Sequence, residues 1–306
     1  MPVRRSAILL DIVLLNAYTQ FTERGGAKMI NSMKDAFSVK GKNVLITGGH
    51  AGIGLGISRA FAELGANVMM MGRRKKEGEE IAAEIINEYG VKAKFYVGDL
   101  TVDGDTAHVV DEAFADFGSI DVLVNNSGLV RWFESIEADK NNFADWNDVI
   151  KLDMTAVFVM SVFAAKKMRE TGGGVIINIT SNAGEIVNTP QTTVSYSASK
   201  AGVNHMTRML AHEWAQYNIR VNAVAPGYTE SKLGSAQDPV SYAKLNAEWM
   251  EKTPTHRRGK PIEIAAAVVY LASEAAEQVT GEIITVDGAG ISSRTDAVSG
   301  RKGLGT

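Results

Sequence analysis

The stretch NVLITGGHAGIGLGISRAFAELG, residues 43–65, decides the fold because three kinds of local pattern follow one another in it. Asn43–Thr47 is short and apolar, as expected of a buried strand, and a glycine-rich turn follows it at once. The apolar spacing over Ile53–Leu64 then predicts an amphipathic helix. The glycines let the backbone approach a bound phosphate closely, beside the free N–H groups of the helix start. This order predicts the first half of a dinucleotide-binding βαβ unit.

Short apolar runs alternate with helical patterns along most of the remaining chain. Strands are predicted at Asn43–Thr47, Asn67–Met71, Lys94–Val97, Val122–Asn125, Val175–Thr180, Arg220–Val224 and Ile283–Val286. Helices are predicted at Ile53–Leu64, Lys76–Tyr89, His108–Phe117, Trp146–Glu170, Tyr196–Gln216 and Ile262–Ser273. Together they predict an α/β protein with a single doubly wound Rossmann-type domain, whose seven-stranded parallel sheet carries helices on both faces.

The predicted domain spans residues 37–291 and leaves a segment at each end of the chain. Residues 1–36 are expected to be an N-terminal extension, either disordered or folded as a short helix. A signal peptide is the less favoured interpretation, since Asp11 interrupts the apolar run and no small-residue cleavage site follows. Residues 292–306 form a small, polar tail. Inside the domain, residues 228–261 are rich in polar side chains and poor in strand signal, so we interpret them as a substrate lid.

The composition excludes several classes of protein. A net charge of −3, from 32 basic and 35 acidic side chains, leaves no cationic footprint for nucleic acid. The lack of cysteine excludes disulfides, thiolate metal sites and a cysteine nucleophile, and it suits a reducing compartment such as the cytoplasm. No stretch reaches the roughly 20 apolar residues that span a bilayer, so no membrane partner is expected. His205 and His212 could share a helix face, but no third ligand is spaced to complete a metal site.

The end of the second predicted strand bears on which dinucleotide binds. NAD-binding folds usually carry an acidic residue here, which holds the ribose 2′-hydroxyl. This chain has Gly72 followed by four cations, Arg73–Lys76. The guanidinium of Arg73 can grip a 2′-phosphate with two donors, whereas a carboxylate would repel it. The sequence therefore favours NADP(H) as the cofactor, with NAD(H) as the alternative. The other interpretation of these cations is a solvated start of the next helix.

A tyrosine and a lysine lie four residues apart where a long helix is predicted to begin. Tyr196 and Lys200 therefore share one helix face. A phenol has an unperturbed pKa of about 10, and a neighbouring ammonium lowers that pKa toward the range useful for proton transfer. Ser181 directly follows the strand Val175–Thr180, so its hydroxyl is expected in the cleft at the carboxyl end of the sheet. These three residues are the candidate catalytic groups.

Several motifs, in order along the chain, resemble those of the short-chain dehydrogenase/reductase family. The resemblance covers roughly Phe37–Ile291. The glycine turn matches the family's TGxxxGIG, and the Tyr196–Lys200 pair matches its YxxxK. Further likenesses are Asn125-Asn126-Ser127-Gly128 to its NNAG, Pro226-Gly227 to its PG segment and Val286-Asp287-Gly288 to its last strand.

The resemblance implies hydride transfer between a nicotinamide and a carbonyl/alcohol pair. Ser181 would hydrogen-bond the substrate oxygen, Tyr196 would give or take its proton, and Lys200 would depress the tyrosine pKa and hold the nicotinamide ribose. By the same resemblance Asp99 would meet the adenine, Asn125 the adenosine side and Thr229 the nicotinamide carboxamide. The residues expected at the cofactor are Thr47, Gly48, His50, Gly52, Ile53, Gly54, Arg73, Asp99, Leu100, Asn125, Ser127, Gly128, Tyr196, Lys200, Pro226, Gly227 and Thr229.

One position departs from the family's pattern. The family usually carries a catalytic asparagine in a V-N-x-x-G segment, whereas this chain has Asp153 within the segment IKLDMTA, residues 150–156. Aspartate can serve if the role of that residue is to hold, by its main-chain carbonyl, a water linked to Lys200. An ionised Asp153 would also strengthen the charge of Lys200 while weakening its effect on Tyr196. We therefore count Asp153 as a fourth catalytic residue.

The segment between Ser181 and Tyr196 bears on the substrate. Its polar residues Glu185, Asn188 and Gln191 could bind several hydroxyls, or could only shape a loop. With this segment and its aspartate, the chain resembles the gluconate 5-dehydrogenase and mannitol or sorbose reductase branch, which implies a ketose, polyol or keto-sugar acid as substrate. The alternatives are a 3-oxoacyl-thioester reductase with a basic entrance and a non-catalytic dinucleotide-binding protein. The resemblance also implies a homotetramer formed through the two long helices.

Overall fold

The computed structural model describes residues 32–231 and 239–292. The predicted extension up to residue 31, the tail from residue 293 and part of the predicted lid, 232–238, lie outside the described residues. The chain divides into two units, Met1–Ala36 and Phe37–Thr306. The described part of the first unit holds a four-residue helix, Met33–Ala36. The second unit carries the sheet and its helices.

Strands and helices alternate in the second unit, and the strand bounds agree with the predictions to within two residues. The strands are β1 (Asn43–Thr47), β2 (Asn67–Gly72), β3 (Ala93–Val97), β4 (Val122–Asn125), β5 (Gly174–Ile179), β6 (Ile219–Pro226) and β7 (Ile283–Val286). The helices are α1 (Gly52–Glu63), α2 (Lys75–Tyr89), α3 (Asp105–Phe117), α4 (Ala144–Ile150), α5 (Ala156–Glu170), α6 (Val194–Trp214), α7 (Pro239–Lys252) and α8 (Pro261–Ala272).

All seven strands are parallel and lie in the order β3-β2-β1-β4-β5-β6-β7. This order confirms the doubly wound, seven-stranded fold that the sequence predicts. β1 and β4 are neighbours in the sheet, although β2 and β3 separate them along the chain. Because the chain winds outward from this point in both directions, a crevice is left at the carboxyl ends of β1 and β4. A ligand site is expected in that crevice.

Alternating side chains of the strands build two apolar cores, one on each face of the sheet. On one face, Val44 and Ile46 of β1 belong to a buried cluster with Phe61 of α1 and Val268 of α8. On the other face, Leu45 belongs to a cluster supplied by α3, α5 and α6. Full burial of a side chain of this size stabilises the fold by about 1.5–3 kcal/mol. The strand that leads into the glycine turn is therefore held from both sides.

A line of buried polar side chains crosses the face covered by α5 and α6. Asn125 Nδ2 donates to Asn178 Oδ1 and to Ser161 Oγ, both at 2.9 Å. Asn178 Nδ2 donates in turn to Thr207 Oγ1 at 2.9 Å. The hydroxyls of Ser161 and Thr207 donate to carbonyls of their own helices. This polar line joins β4, β5, α5 and α6 by hydrogen bonds inside an apolar core.

Two local features differ from the sequence predictions. The helix predicted over Trp146–Glu170 is interrupted by a π-helical turn, Lys151–Thr155, between α4 and α5. A π turn adds one residue to a helical turn and so re-aims the side chains on it, here including Asp153. The second difference is α7, a helix inside the segment 228–261 whose polar composition concealed its apolar spacing.

Candidate active site

A cavity of about 760 Å³ opens at the carboxyl edge of the sheet, in the crevice that the strand order predicts. Its walls come from the glycine turn after β1, the ends of β2 and β3, the loop after β4, the segment after β5, the start of α6 and the loop after β6. A concave space of this volume is typical of a ligand site.

The glycine turn is fixed by its backbone angles, by a close approach within the turn and by hydrogen bonds to the loop after β4. Gly48 and Gly52 have φ angles of 66° and 54°, a region that glycine enters without strain. A Cβ at Gly54 would lie 2.3 Å from the carbonyl oxygen of Gly48, so the turn closes tightly only with glycine there. The hydroxyl of Thr47 accepts hydrogen bonds from the backbone N–H groups of Asn126 and Ser127, at 2.9 and 3.0 Å. The turn after β1 and the loop after β4 are thereby locked together.

The cavity end beside β2 and β3 is cationic. Arg73 and Arg74 both line it, and Arg74 also pairs with Glu77 at 2.7 Å. Arg73 Nη1 lies 3.6 Å from Asp99 Oδ2 and its side chain is exposed. Burial would raise the pKa of Asp99, but hydrogen bonds from Thr101 and the charge of Arg73 outweigh it and lower that pKa. The exposed guanidinium of Arg73 is placed to meet an anionic group in the cavity.

His50 lines the same end and offers two polar atoms to a ligand. Its side chain is only 6% exposed, and neither ring nitrogen has a hydrogen-bond partner among the described residues. The ring packs edge-on against Phe95, with 5.2 Å between centroids. Burial first, and then the charge of Arg74, lower the pKa of His50. A neutral, buried imidazole with unused nitrogens fits a polar group of a bound dinucleotide.

The opposite end of the cavity gathers the candidate catalytic residues. Ser181 follows β5, and its Oγ accepts a hydrogen bond from the backbone N–H of Ala183 at 3.1 Å. Tyr196 lies in the first turn of α6, and Lys200 Nζ lies 5.4 Å from the centroid of its ring. Lys200 Nζ also donates to the carbonyl of Ile179 at 3.3 Å. The three side chains therefore meet at one wall, as their spacing predicts.

The pKa of Tyr196 is raised, whereas its spacing to Lys200 predicts a lowered pKa. Burial raises this pKa most, Lys200 and a hydrogen bond from Ser181 lower it, and the charge of Asp153 raises it again. The net direction is upward. Lys200 alone would have depressed the phenol, but the sequence pattern contains neither the burial nor the carboxylate that opposes it.

Asp153 lies behind the cavity wall, fully buried. Its Oδ1 accepts a hydrogen bond from the backbone N–H of Leu129 at 2.7 Å, and its Oδ2 lies 3.2 Å from Lys200 Nζ. The side chain, and not only the main chain, therefore reaches the catalytic lysine. Burial raises the pKa of Asp153 above its ordinary value, and Lys200 and the Leu129 N–H offset that rise only in part.

Most residues predicted at the cofactor line this cavity. They are Gly48, His50, Gly52, Ile53, Arg73, Asp99, Leu100, Ser127, Gly128, Tyr196, Lys200, Pro226, Gly227 and Thr229. Of the polar residues predicted near the substrate, Asn188 and Gln191 line the cavity, whereas Glu185 does not.

The structure does not bring three other predicted cofactor residues to the cavity wall. The Thr47 hydroxyl accepts hydrogen bonds from the loop after β4, and Gly54 packs against the carbonyl of Gly48. Asn125 is buried in the polar line, where its amide serves Asn178 and Ser161. Each of the three shapes the site from behind, because its motif lies where β1 and β4 end side by side.

Several aromatic and basic side chains line the cavity without having been predicted. Tyr228 stacks on Trp249 of α7, with 4.6 Å between ring centroids and an interplanar angle of 10°. Arg258 lies over the same indole at 5.6 Å, and Trp132 contributes a further wall. These residues lie on loops, which carry no periodic pattern, and on α7, whose apolar spacing is concealed by its polar composition. Ala51 and Asn126, which also line the cavity, belong to motifs that could have revealed them.

Among the residues that the structure describes, no helix has the length and apolar character needed to cross a membrane. Within the same residues, no group of three or more histidine, aspartate or glutamate side chains is arranged to hold a metal ion.

Comparisons with known proteins agree with this geometry. A family model described as enoyl-(acyl carrier protein) reductase matches residues 48–291. Sorbose reductase of Candida albicans is 35% identical over 258 residues, covering 84% of this chain and 90% of that protein. An NADP-dependent mannitol dehydrogenase of Hypocrea jecorina is 34% identical over 261 residues, covering 84% and 95%. The crystal structure of a gluconate 5-dehydrogenase from Burkholderia cenocepacia, in complex with NADP and tartrate, is 32% identical with a TM-score of 0.76, covering 84% and 98%.

Proposed function

Because this chain belongs to the short-chain dehydrogenase/reductase family, we propose that it transfers a hydride between NADP(H) and the carbonyl or alcohol of a polyhydroxylated substrate. The substrate class is a ketose, a polyol or a keto-sugar acid. The observation that carries this proposal is that one continuous cavity joins the glycine turn and Arg73 at one end to Ser181, Tyr196 and Lys200 at the other.

The residues at the cationic end fit NADP(H). The start of α1 would hold the pyrophosphate through its free backbone N–H groups. Arg73, with the N–H of the neutral His50 ring, would hold the 2′-phosphate. The NADP-dependent mannitol dehydrogenase and the NADP-bound gluconate 5-dehydrogenase support the same choice of cofactor.

The chain's own groups would handle the substrate oxygen and its proton. When bound, the nicotinamide supplies the hydride in reduction and accepts it in oxidation. The Ser181 hydroxyl hydrogen-bonds the substrate oxygen and orients it. In reduction, Tyr196 Oη gives its proton to that oxygen as the carbonyl becomes an alcohol, and in oxidation it takes the proton back. The ammonium of Lys200, held by the Ile179 carbonyl, stabilises the phenolate that Tyr196 becomes when it has given up its proton.

The lining near the catalytic end supports a substrate with several hydroxyls. Gln191 contributes an amide there, beside Asn188, whose Nδ2 donates to Asn182 Oδ1 at 3.2 Å. The rings of Tyr228 and Trp249 contribute apolar surface to the same wall. Amides suit hydroxyls, and aromatic faces suit the C–H surface of a sugar chain. The relatives named for sorbose and mannitol support the same class.

A 3-oxoacyl-thioester reductase is the second candidate, because the cations Arg131, Lys151 and Arg258 line the cavity. Two of them are already engaged by neighbours. Arg131 Nε lies 3.5 Å from Asp145 Oδ1, and Arg258 Nε donates to Asn246 Oδ1 at 2.5 Å. The cationic wall is therefore weaker than its three charges suggest, and the polyhydroxylated substrate is the better fit.

A substrate panel tests the proposal. The full-length protein is offered ketoses, polyols, keto-sugar acids and a 3-oxoacyl thioester, with NADP(H) and with NAD(H). We expect turnover of polyhydroxylated substrates with NADP(H) preferred. Tyr196→Phe is the matched control, since it removes Oη and keeps the ring, and it should bind NADPH normally without turnover. Activity on the thioester alone would overturn the substrate class, and full turnover by Tyr196→Phe would overturn the chemistry.

We also propose that the protein is a homotetramer of the cytoplasm, a reducing compartment that its lack of cysteine suits. Phe158 on α5 and Met209 on α6 are 45% and 56% exposed, and a second copy of these helices could cover them. Light scattering on the purified protein should give four chains per particle, and Met209→Lys should give smaller particles. A wild-type monomer would contradict the assembly. Recovery of the protein outside the cytosolic fraction would contradict the location.

A further inference from the structure

We propose that Asp153 sets the direction in which the enzyme works best near neutral pH. By compensating the charge of Lys200, its carboxylate keeps Tyr196 a proton donor, which suits carbonyl reduction and defers alcohol oxidation to alkaline pH. The inference rests on the proposed role of Tyr196. It is carried by the contacts of one buried carboxylate.

The π-helical turn aims Asp153 at two partners at once. Its Oδ1 takes the backbone N–H of Leu129 at 2.7 Å, which fixes the carboxylate to the loop after β4. Its Oδ2 lies 3.2 Å from Lys200 Nζ, and the two side chains are 0% and 4% exposed. Both contacts stabilise the charged carboxylate against the effect of its burial, and the distance to Lys200 is that of an ion pair.

The packing around this pair makes the contact direct. A Cβ at Gly128 would lie 3.2 Å from Asp153 Oδ2 and 3.6 Å from Lys200 Nζ. Apart from Lys200, Asp153 Oδ2 has no hydrogen-bond donor among the described residues, so the ammonium is its compensating group. The carboxylate therefore acts on Lys200 at close range, in a region that water does not screen.

Five elements border the cavity around the catalytic tyrosine and lysine, and among them α4 and the π turn bring Asp148 and Lys151 to its wall. α6 supplies Tyr196 and Lys200 themselves, the end of β5 supplies the Ile179 carbonyl and the Ser181 hydroxyl, and the loop after β4 supplies only backbone. The π turn supplies Asp153, the one carboxylate that acts on either group in the described residues.

The balance of charge favours a protonated phenol. Burial would lower the pKa of Lys200, but Asp153 and Tyr196 raise it, so the lysine stays charged. Burial and Asp153 raise the pKa of Tyr196 by more than Lys200 and Ser181 lower it. Reduction moves a proton from Tyr196 Oη to the carbonyl oxygen and so needs the phenol. Oxidation moves the alcohol proton to Tyr196 Oη and needs the phenolate, which forms only as pH rises.

Asp153→Asn removes the charge and keeps an oxygen for the Leu129 N–H. We expect the pH profiles of oxidation and reduction both to move downward by about one pH unit, because the variant removes the carboxylate charge that raises the pKa of Tyr196. Oxidation near neutral pH should rise up to about tenfold. Glu80→Gln is the matched control, because it removes an exposed carboxylate of α2, 4.0 Å from Lys76, and should leave both profiles unchanged.

A spectroscopic titration gives a readout that does not depend on turnover. Tyrosinate absorbance is followed against pH in the wild type and in Tyr196→Phe, and the difference isolates Tyr196. The same difference in the Asp153→Asn background should titrate about one pH unit lower. Unshifted curves in a folded Asp153→Asn protein would overturn the inference. The proposed function would still stand, since the substrate panel and the turnover of Tyr196→Phe test it separately.

The wild type alone keeps the inference testable if Asp153→Asn does not fold. Its oxidation rate should still be rising between about pH 8 and 9, below the ordinary tyrosine pKa of about 10. Its reduction rate should hold over the same range. An oxidation rate that reaches its plateau below about pH 8 would overturn the inference.

Discussion

Two ion pairs at the two ends of one cavity share their chemistry and differ in their surroundings. Arg73 and Asp99 lie 3.6 Å apart with side chains 77% and 27% exposed. Lys200 and Asp153 lie 3.2 Å apart with side chains 4% and 0% exposed. Water screens the first pair, so it contributes about 0–1 kcal/mol to stability. Removing one partner of a buried pair costs about 3–5 kcal/mol, because a charge is left without compensation.

The difference assigns separate tasks to the two ends. The exposed end can change its charge at little cost to the fold, so the choice between NADP(H) and NAD(H) can be altered there. The buried end is tied to the π turn, the loop after β4 and α6, so its charge pattern cannot change without loss. Cofactor preference is therefore adjustable, while the proton-transfer group is not.

The sharpest test of the buried end is the loss of its phenol oxygen. Tyr196→Phe should lower kcat by about 10²–10⁴-fold, the usual contribution of a positioned acid or base. NADPH binding, measured by fluorescence titration, should stay within about twofold because the turn and Arg73 are untouched. A fall in NADPH affinity that matches the fall in kcat would instead give Tyr196 a binding role.

Breaking the buried pair should cost stability. Asp153→Ala leaves the ammonium of Lys200 without its carboxylate and should lower the free energy of unfolding by about 3–5 kcal/mol in urea titrations. Adding Lys200→Met to this variant should restore part of the loss, since no buried charge then remains. A loss below about 1 kcal/mol would mean that water reaches the pair and that the two ends are alike.

Removing Arg73 from the exposed ion pair should change the cofactor preference without lowering the stability of the fold. Arg73→Ser should raise the KM for NADPH by about 10–100-fold, the value of one or two charge-assisted hydrogen bonds. The KM for NADH should stay within about twofold, because NADH lacks the 2′-phosphate, and the unfolding midpoint should not move. An equal rise for both cofactors would show that Arg73 shapes the site generally.

The smallest effect is expected for an exposed ion pair that does not line the cavity. Glu80→Gln removes a contact of 4.0 Å to Lys76 on the exposed face of α2. It should change the free energy of unfolding by less than about 0.5 kcal/mol and leave kcat unchanged. A larger loss would contradict the view that exposure decides what an ion pair contributes.

Local patterns were enough to predict the sheet, the glycine turn and the shared face of Tyr196 and Lys200. Apolar runs, glycines and a four-residue spacing are signals that the chain carries over short distances. The π turn at Lys151–Thr155 could not be predicted, because apolar spacing continues through it from α4 into α5. Trp249 could not be placed at the cavity from the sequence either, because it lies on α7, a helix that the sequence did not predict.

Burial was the other quantity that the sequence could not supply. The four-residue spacing correctly paired Lys200 with Tyr196, yet the direction of the tyrosine pKa was wrong, because burial and Asp153 reverse it. Asn125 was expected at the cofactor from its motif, but its amide turned inward to Asn178 and Ser161. Motifs indicate which residues lie near a site, while the direction of each side chain depends on packing between distant segments.

The polar line through Asn125, Asn178, Ser161 and Thr207 destabilises incorrect alignments of the helices against the sheet. If α6 slid by one turn against the sheet, the amide of Asn178 would lose the Thr207 hydroxyl inside an apolar core, at a cost of about 1–3 kcal/mol. Apolar neighbours alone would tolerate much of such a slip, since aliphatic side chains of similar volume replace one another cheaply. These four side chains thus select one alignment among several of similar apolar contact, and with it the alignment that brings Tyr196 to the end of β5.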